Sequence, residues 1–281
     1  MKKGLVMEGG AMRGMFTAGV CDVFLENGIE FDGAVGVSAG AAFGCNLKSK
    51  QIGRAIRYNL KYCGDKRYWS ISSLLKTGDI FNVDFCYKKL PFELDLFDAE
   101  TYNSNPLEFH VVCTDVETGK PFYKICNDGV ESVEWVRASS SMPLVSRVVE
   151  LEDGKFLDGG ISDAIPLRYF ENIGYNRNVV VLTRPYDYVK KKSSFALLLK
   201  IALRKYPAVY EAMKNRHEMY KETVEYINLK EKSGEIFVIR PEAALPASRT
   251  ERSPDKLKET YELGRKQAEK RLLELKSFLG E

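Results

Sequence analysis

The sequence predicts an α/β protein with a mostly parallel central sheet flanked by helices. Residues 1–50 read strand, turn, helix, strand, turn, helix, and this alternation is typical of parallel strands covered by helices. Of the 281 residues, 44% are hydrophobic and 29% are charged, which suits a soluble protein with a sizeable core. Because no repeat, low-complexity tract or clear linker interrupts the chain, we expect one domain over residues 1–281.

The amino-terminal part supplies the two strand–turn–helix units. The apolar run KGLVM (3–7) is typical of a buried strand, and EGGAMRG (8–14) is typical of a glycine-rich turn. Apolar residues at helical spacing predict a helix over 15–27. FDGAVGV (31–37) predicts the second strand, and a second helix begins at Ala39.

The remaining chain predicts more strands and two helical regions. Further strands are expected at 107–116, 121–125, 178–185 and 235–241. The segment 147–160 is typical of a hairpin that turns at Asp153-Gly154. A basic stretch over about 190–232 is helical in pattern, and a final helix has Ser253 as N-cap and Pro254 at its first position.

Charge, cysteine spacing and hydropathy argue against several classes of protein. A net charge of +3 does not suggest nucleic-acid binding, and six cysteines without a C-x-x-C pair do not suggest a zinc site. The amino terminus lacks the apolar core of a signal peptide, and no run reaches the roughly 18 apolar residues of a spanning helix. We therefore expect a cytoplasmic protein, with peripheral membrane contact as an open question.

The first segment that could carry chemistry is the G-x-S-x-G pattern centred on Ser38. In a nucleophile elbow the serine lies on a strained turn between strand and helix, and Gly36 and Gly40 prevent clashes there. Amide N–H groups at the start of the next helix favour developing negative charge. The alternative is a turn of small residues that serves only close packing.

The second segment is the glycine-rich turn MEGGAMRG (7–14). It resembles a dinucleotide-binding fingerprint, with Glu30 or Asp32 as the acidic ribose partner, but Ala11 stands at the third position of the pattern. A plain strand-to-helix turn is a further alternative.

The same turn also has the composition of an oxyanion hole. The candidate donors are the backbone N–H groups of Gly9, Gly10 and Ala11. Parallel topology would bring this turn beside the Ser38 turn, because both follow strands at their carboxyl ends. Arg13, followed by Gly14, would hold the loop or meet an anionic head group.

The third segment is GKFLDGGISDAIPL (154–167). Asp158 ends a short apolar strand, and Gly159 and Gly160 follow it, so the backbone holds the carboxylate at the tip of a loop. Asp-Gly-Gly is also a common turn former, and a plain turn is the alternative.

In combination these segments resemble the patatin-like phospholipase family. EGGAMRG (8–14) stands where the family has a polar residue and Gly-Gly-Gly-x-Arg-Gly, and GVSAG (36–40) matches its serine motif. FHVVCTDVETGKPFYK (109–124) resembles the family's Thr-Asp…Thr-Gly segment, and the block over 137–160 resembles the one that leads into Asp-Gly-Gly. The resemblance covers roughly residues 3–185.

The resemblance implies a three-layer patatin-like fold, with a catalytic core over 3–185 and a helical extension with one further strand over 186–281, packed on the core. It also implies a Ser–Asp dyad, with Ser38 as nucleophile and Asp158 as proton acceptor, and a lipid acyl ester as substrate. No cofactor or metal is implied. The departure is Ala11 in place of a third glycine, which keeps its N–H and preserves the oxyanion role if its φ angle suits a Cβ.

Several alternatives remain open from the sequence. His110 lies inside an apolar strand and is expected in the core, while His217 is expected on the surface or in a lid. The chain order Ser, Asp, His would nevertheless fit a triad that ends at His217. A non-lipid carboxylesterase with the same dyad, or a non-catalytic nucleotide-binding protein, are the other functional hypotheses.

A basic amphipathic stretch over 188–210 bears on membrane contact. Its apolar stripe consists of Phe195, Leu198, Leu199, Ala202 and Tyr206. The surrounding cations are Lys190, Lys191, Lys192, Lys200, Arg204 and Lys205. Such a segment can lie at an anionic membrane surface, and the alternative is a core helix whose lysines are solvated.

Overall fold

The computed structural model describes residues 1–192 and 195–281 and contains an eight-stranded sheet. The strands are β1 (Lys2–Met7), β2 (Gly33–Val37), β3 (Glu108–Asp115), β4 (Pro121–Ile125), β5 (Val149–Leu151), β6 (Gly154–Asp158), β7 (Tyr175–Val181) and β8 (Ile236–Ile239). Their order is β5-β6-β3-β2-β1-β7-β8, with β4 also paired to β3. The five strands β3, β2, β1, β7 and β8 run parallel, whereas β4 and β6 run antiparallel to β3. The mostly parallel sheet predicted from sequence is confirmed.

Helices cover both faces of the sheet. They are α1 (Met15–Glu26), α2 (Ala39–Lys48), α3 (Arg54–Tyr62), α4 (Ile71–Thr77), α5 (Ala99–Ser104), α6 (Gly129–Ser139), α7 (Leu167–Asn172), α8 (Ala196–Ala202), α9 (Pro207–Lys232), α10 (Pro254–Lys270) and α11 (Leu272–Leu279). Short 3₁₀ turns occupy Ala11–Gly14 and Gly159–Ile161, and Phe85–Leu94 is π-helical. The sequence patterns predict no element between 51 and 106, where α3, α4, α5 and the π-helix lie, and they also miss α6 and α7. None of the described helices is long and apolar enough to cross a membrane.

The three layers follow from side-chain alternation along buried strands. In β1, Leu5 and Met7 contact one core, which includes residues of α1, α2, α6, α10 and α11. Val6 contacts the opposite core, to which Phe170 of α7 and Ile227 of α9 contribute. Because the carboxy-terminal helices complete both cores, the segment after residue 186 is an integral part of the layers.

Strand register brings the ends of β2 and β6 together. The last pair between β2 and β3 is Val37 with Val112, and the first pair between β6 and β3 is Asp158 with Cys113. Strand β4 pairs with β3 over residues 110–114, beside residues that pair with β2 and others that pair with β6, so β4 lies on the opposite edge of β3. Strands β2 and β6 therefore lie one after the other along the same edge of β3. The residue after Val37 thus lies next to Asp158.

The stretch over 188–210 does not bury the apolar stripe that is predicted from its sequence. Helix α8 buries Leu199 and the following Leu203, while Leu197 and Ile201 remain 75% and 61% exposed. The chain then turns before α9 begins at Pro207. Residues 193 and 194 of this predicted segment lie outside the described residues.

Candidate active site

Ser38 occupies a sharp turn between β2 and α2. Its backbone has φ +53° and ψ −118°, a conformation that is strained for a residue with a Cβ. The Ser38 carbonyl accepts hydrogen bonds from the N–H groups of Ala41 and Ala42, and the Ser38 N–H donates to Ser139 Oγ at 2.8 Å. Ser139 in turn donates to the Val112 carbonyl at 2.6 Å. The turn is therefore tied both to its helix and to β3.

Two glycines make this turn sterically feasible. A Cβ on Gly40 would lie 2.4 Å from the Met7 carbonyl oxygen, and a Cβ on Gly36 would lie 2.5 Å from the Ala41 nitrogen. Both distances are far below van der Waals contact, so any side chain would displace the turn from the sheet.

The glycine-rich turn after β1 lies against the Ser38 turn. A Cβ on Gly9 would be 3.2 Å from the Ser38 Cβ. Within the part of the chain that the structure describes, the N–H groups of Gly9, Gly10 and Ala11 donate to no acceptor. They are free to stabilise a developing oxyanion. Ala11 has φ +50°, the left-handed region, so alanine adopts here the conformation for which glycine is better suited.

Asp158 lies at the end of β6 and is only 3% exposed. Its carboxylate accepts a 2.7 Å hydrogen bond from the Gly160 N–H, and its carbonyl accepts one from Thr114 Oγ1. Burial raises the pKa of Asp158 above its ordinary value, and this rise is opposed first by the charge of Arg216 and then by the neighbouring Ser38 hydroxyl. The arrangement therefore couples a buried carboxyl group of raised basicity to the serine.

Two cavities meet at Ser38. The larger, about 150 Å³, is mainly apolar and is lined by aromatic and aliphatic residues of α2, α3, α6 and the 81–97 region, including Phe43, Tyr58, Leu90 and Phe97. The smaller, about 70 Å³, contains both Ser38 and Asp158 in its wall. Ser38 and Ala11 line both cavities, so one reacting group faces an apolar and a polar space.

Five basic residues line the smaller cavity, which we call the cationic chamber. They are Arg13, Arg184, Lys190, Arg216 and Arg249. Burial and Arg184 lower the pKa of Arg13 to about 10, and burial together with Arg216 lowers the pKa of Lys190 to about 7. Of these five residues, only Arg13 is predicted at the site from sequence patterns. Arg184 follows the carboxyl end of β7, which is a signal for site residues in parallel sheets, whereas Arg216 and Arg249 carry no local signal.

Most of the residues predicted from sequence line this chamber together. They are Gly9, Gly10, Ala11, Arg13, Ser38, Asp158 and Gly160. The other predicted glycines do not line the chamber and instead allow close packing of the elements around it. A Cβ on Gly14 would lie 2.8 Å from the Ala39 Cβ, and a Cβ on Gly159 would lie 2.1 Å from the Val112 carbonyl oxygen.

Neither histidine lines the chamber. His110 is 1% exposed, its Nδ1 lies 3.0 Å from the Tyr169 hydroxyl, and burial lowers its pKa to about 4. His217 directs Nδ1 at the Lys214 carbonyl of its own helix. The geometry therefore gives no support to a triad that ends at His217.

The dinucleotide alternative also loses its acidic partner, because both candidates, Glu30 and Asp32, precede β2 and do not lie at its carboxyl end. The Asp32 carboxylate accepts a 2.6 Å hydrogen bond from the Lys3 N–H, at the start of β1 and thus at the far end from the glycine-rich turn. In the described ranges, no group of three or more His, Cys, Asp or Glu residues is arranged to hold a metal ion.

Comparison with known proteins agrees with these motifs. The family model for patatin-like phospholipase matches residues 5–171, and a second model, a domain of unknown function (DUF6363), matches residues 206–280. The chain is 28% identical over 272 residues to the uncharacterized protein YjjU of Escherichia coli strain K12, covering 93% of this chain and 74% of YjjU.

Among solved structures, the chain is similar to VipD from Legionella pneumophila, with 14% sequence identity and a TM-score of 0.48. That alignment covers 96% of this chain and 66% of the VipD chain, slightly less than two thirds of its length. The family model spans more than half of the sequence and includes the turns that carry Ser38 and Asp158. The chain therefore belongs to the patatin-like phospholipase family.

Proposed function

We propose that this protein hydrolyses lipid acyl esters with Ser38 as nucleophile and Asp158 as proton acceptor. Family membership supports lipid acyl-ester hydrolysis at the level of the family. The observation that carries the finer proposal is one cavity wall that contains Ser38, Asp158 and the three unengaged N–H groups of Gly9, Gly10 and Ala11.

Acylation begins when Ser38 Oγ attacks the carbonyl carbon of the ester. As the Oγ–C bond forms, the hydroxyl proton passes to the Asp158 carboxylate, and the N–H groups of residues 9–11 stabilise the oxyanion. The intermediate collapses when the bond to the alcohol oxygen breaks. That oxygen takes the proton from Asp158, and the alcohol leaves an acyl-enzyme.

Deacylation repeats the same proton transfers with water. Water attacks the acyl carbon while Asp158 accepts its proton, and the bond to Ser38 Oγ then breaks. Oγ regains the proton and the carboxylic acid leaves. Burial of Asp158 supports this role, because a raised pKa makes the carboxylate a stronger base than an exposed aspartate.

The apolar cavity suggests how an acyl chain would bind. Its lining is dominated by buried apolar and aromatic side chains, and it ends at Ser38. A hydrocarbon chain in this space would leave its ester carbonyl at the serine, between the two cavities. Burial of each methylene contributes about 0.8 kcal/mol, so chain length should strongly affect kcat/KM.

A fluorophosphonate probe combined with a lipid panel tests the proposal. We expect labelling of the wild-type protein, loss of labelling in Ser38→Ala, and release of fatty acid from lipid esters by the wild type only. His110→Ala and His217→Ala are matched controls that should retain hydrolysis. A folded His217→Ala variant that lost hydrolysis as fully as Ser38→Ala would contradict the dyad. Hydrolysis of short soluble esters alone would favour a non-lipid carboxylesterase.

We also propose that α8 contacts a membrane surface during turnover. Leu197, Leu198 and Ile201 are 50–75% exposed, and Lys191 and Lys192 precede the helix. Apolar residues beside cations favour binding to anionic lipid. Replacement of the three apolar residues by serine should weaken sedimentation with anionic vesicles, as should neutralisation of the two lysines. Unchanged sedimentation in both variants would contradict this contact.

A further inference from the structure

We infer that the cationic chamber is a head-group site for lipids that carry a phosphate monoester, and that the carboxy-terminal segment 206–280 helps to build it. The inference rests on the proposed acyl-ester hydrolysis and extends it to the substrate class. It gives a role to the segment that matches a domain of unknown function.

The charge balance of the chamber favours an anionic ligand. Its five cations face two carboxylates, Glu8 and Asp158. Glu8 is held by neutral donors, because its oxygens accept hydrogen bonds from the Thr183 N–H at 2.6 Å and the Tyr220 hydroxyl at 2.7 Å. Within residues 1–192 and 195–281, none of the five cations forms an ion pair with a carboxylate. Such an excess of positive charge in a partly buried space favours occupation by an anion.

Arg13 shows that the chamber is a formed site. The Arg13 side chain lines the chamber in a residue that is only 7% exposed, and its Nε is buried without a hydrogen-bond partner. A buried donor without an acceptor is rare and destabilising, so the Arg13 guanidinium lacks part of the hydrogen bonding that a buried cation needs. The pKa values of Arg13 and Lys190, both lowered by burial and by neighbouring cations, agree with the same need for a counter-charge.

Size and polarity select among phospholipid head groups. A cavity of about 70 Å³ has room for a phosphate group. A zwitterionic head group also needs a partner for its ammonium. Among the described lining residues, the two carboxylates are already engaged, Glu8 with Thr183 and Tyr220 and Asp158 with Gly160. A terminal phosphate therefore fits the chamber better than choline or ethanolamine.

The position of the chamber ties the phosphate to a lipid. Ser38 and Ala11 line both the chamber and the apolar cavity. A glycerolipid with an acyl chain in one cavity and a phosphate in the other would place its ester at Ser38, because glycerol separates the two groups by only a few bonds. A free phosphate would occupy the chamber only and would leave the apolar cavity empty.

The carboxy-terminal segment supplies one side of the chamber. Arg216 and Tyr220 lie on α9, and Arg249 lies in the loop before α10. Arg216 also donates through Nε to the Gly160 carbonyl, next to Asp158. Because an Arg216 variant would disturb the candidate base as well, Arg184 and Arg249 are the better test positions.

Kinetics on matched octanoyl lipids test the head-group preference. We expect kcat/KM for octanoyl lysophosphatidate to exceed that for monooctanoylglycerol and octanoyl lysophosphatidylcholine by at least about 10-fold. Arg184→Gln and Arg249→Gln should each reduce this ratio by about 10-fold, as expected for loss of a charge-assisted hydrogen bond. Arg249→Lys should restore part of the ratio, and Lys258→Gln on the exposed face of α10 should not change it.

Binding to the Ser38→Ala variant separates a lipid head group from free phosphate without requiring turnover. In calorimetry, octyl phosphate should bind at least about 10-fold more tightly than inorganic phosphate, and Arg184→Gln should weaken both. Equal affinities would identify a site for free phosphate and overturn the inference, as would the absence of binding by either ligand.

The head-group site and the hydrolase can be contradicted independently of each other. Equal hydrolysis of the phosphate-bearing and neutral lipids, with Ser38 labelled normally, would overturn the head-group site and leave the hydrolase intact. Tight binding of octyl phosphate to a chain that neither labels nor hydrolyses any ester would support the site and reject the hydrolase.

Discussion

At the scale of single residues, the unusual feature is a serine beside a buried carboxylate without a histidine. An exposed aspartate is a weak base, because its pKa lies near 4. Here burial raises the pKa of Asp158, while Arg216, Ser38 and Gly160 keep the ionised form accessible. In the proposed mechanism, this buried carboxylate takes the part that an imidazole plays in serine hydrolases with a histidine.

Asp158→Asn should separate activity from stability. The amide retains an acceptor for the Gly160 N–H but cannot take a proton, so we expect ester hydrolysis to fall by about 10²-fold or more. A carboxyl whose pKa is raised by folding contributes its full stabilisation below its unfolded pKa, and this contribution is lost as pH rises through the folded value. At neutral pH the variant should therefore melt at the wild-type temperature or above. A clear fall in melting temperature would contradict this account.

The pH dependence of hydrolysis should report the same carboxyl group. The proposed mechanism requires ionised Asp158, so kcat/KM should rise with pH through a midpoint above the ordinary aspartate value of 3.8. The groups that face it are Arg216, Ser38, Gly160 and Lys190. A soluble ester and initial rates give the profile, and the acidic limb should persist in His110→Ala and His217→Ala. A limb that vanished in either variant would assign it to that histidine.

At the scale of elements, local patterns located all eight strands but missed α6, α7 and the helices between 51 and 106. The largest omission is the region over 51–106. This region mixes polar and aromatic residues, and Pro91 lies within the π-helix Phe85–Leu94. Proline removes an N–H and normally interrupts a helix, so the pattern gives no helical signal there. The omission matters because this region lines the apolar cavity. The shape of that cavity depends on how side chains pack, which the periodicity of the sequence does not reveal.

Close packing between α1 and α10 joins the two ends of the chain. A Cβ on Gly264 would lie 2.0 Å from the Phe16 carbonyl oxygen, and one on Gly19 would lie 2.2 Å from the Tyr261 carbonyl oxygen. Gly264→Ala should therefore force the helices apart and destabilise the fold by about 1–3 kcal/mol in urea unfolding. Glu262→Ala, exposed on the same helix, should have little effect. Equal stability of Gly264→Ala and the wild type would show that the helices can separate freely.

At the scale of the whole molecule, the region matched by the patatin-like model does not contain all of its own packing partners. Strand β8 pairs with β7, α10 packs on α1, and Ile227 of α9 completes one core. We expect a chain truncated after residue 205 to lose cooperative unfolding and near-ultraviolet dichroism, because both apolar faces would be exposed. A truncated chain with a sharp thermal transition would contradict this expectation.

The sequence by itself determined the strand order along the chain, the elbow at Ser38 and the turn at Asp158. Those features depend on neighbours in sequence: glycines beside a serine, and apolar runs that alternate with turns. Even the family assignment follows from these short blocks.

Only the tertiary structure decided how those blocks act together. The shared edge of β3 brings Asp158 to Ser38, although 120 residues separate them. The cationic chamber likewise needs Arg184, Arg216 and Arg249, which converge from the loop after β7, from α9 and from the loop before α10. Long-range contacts carry no local periodicity, so a sequence pattern cannot reveal them, and this is why the charge around the serine was visible only once the chain was folded.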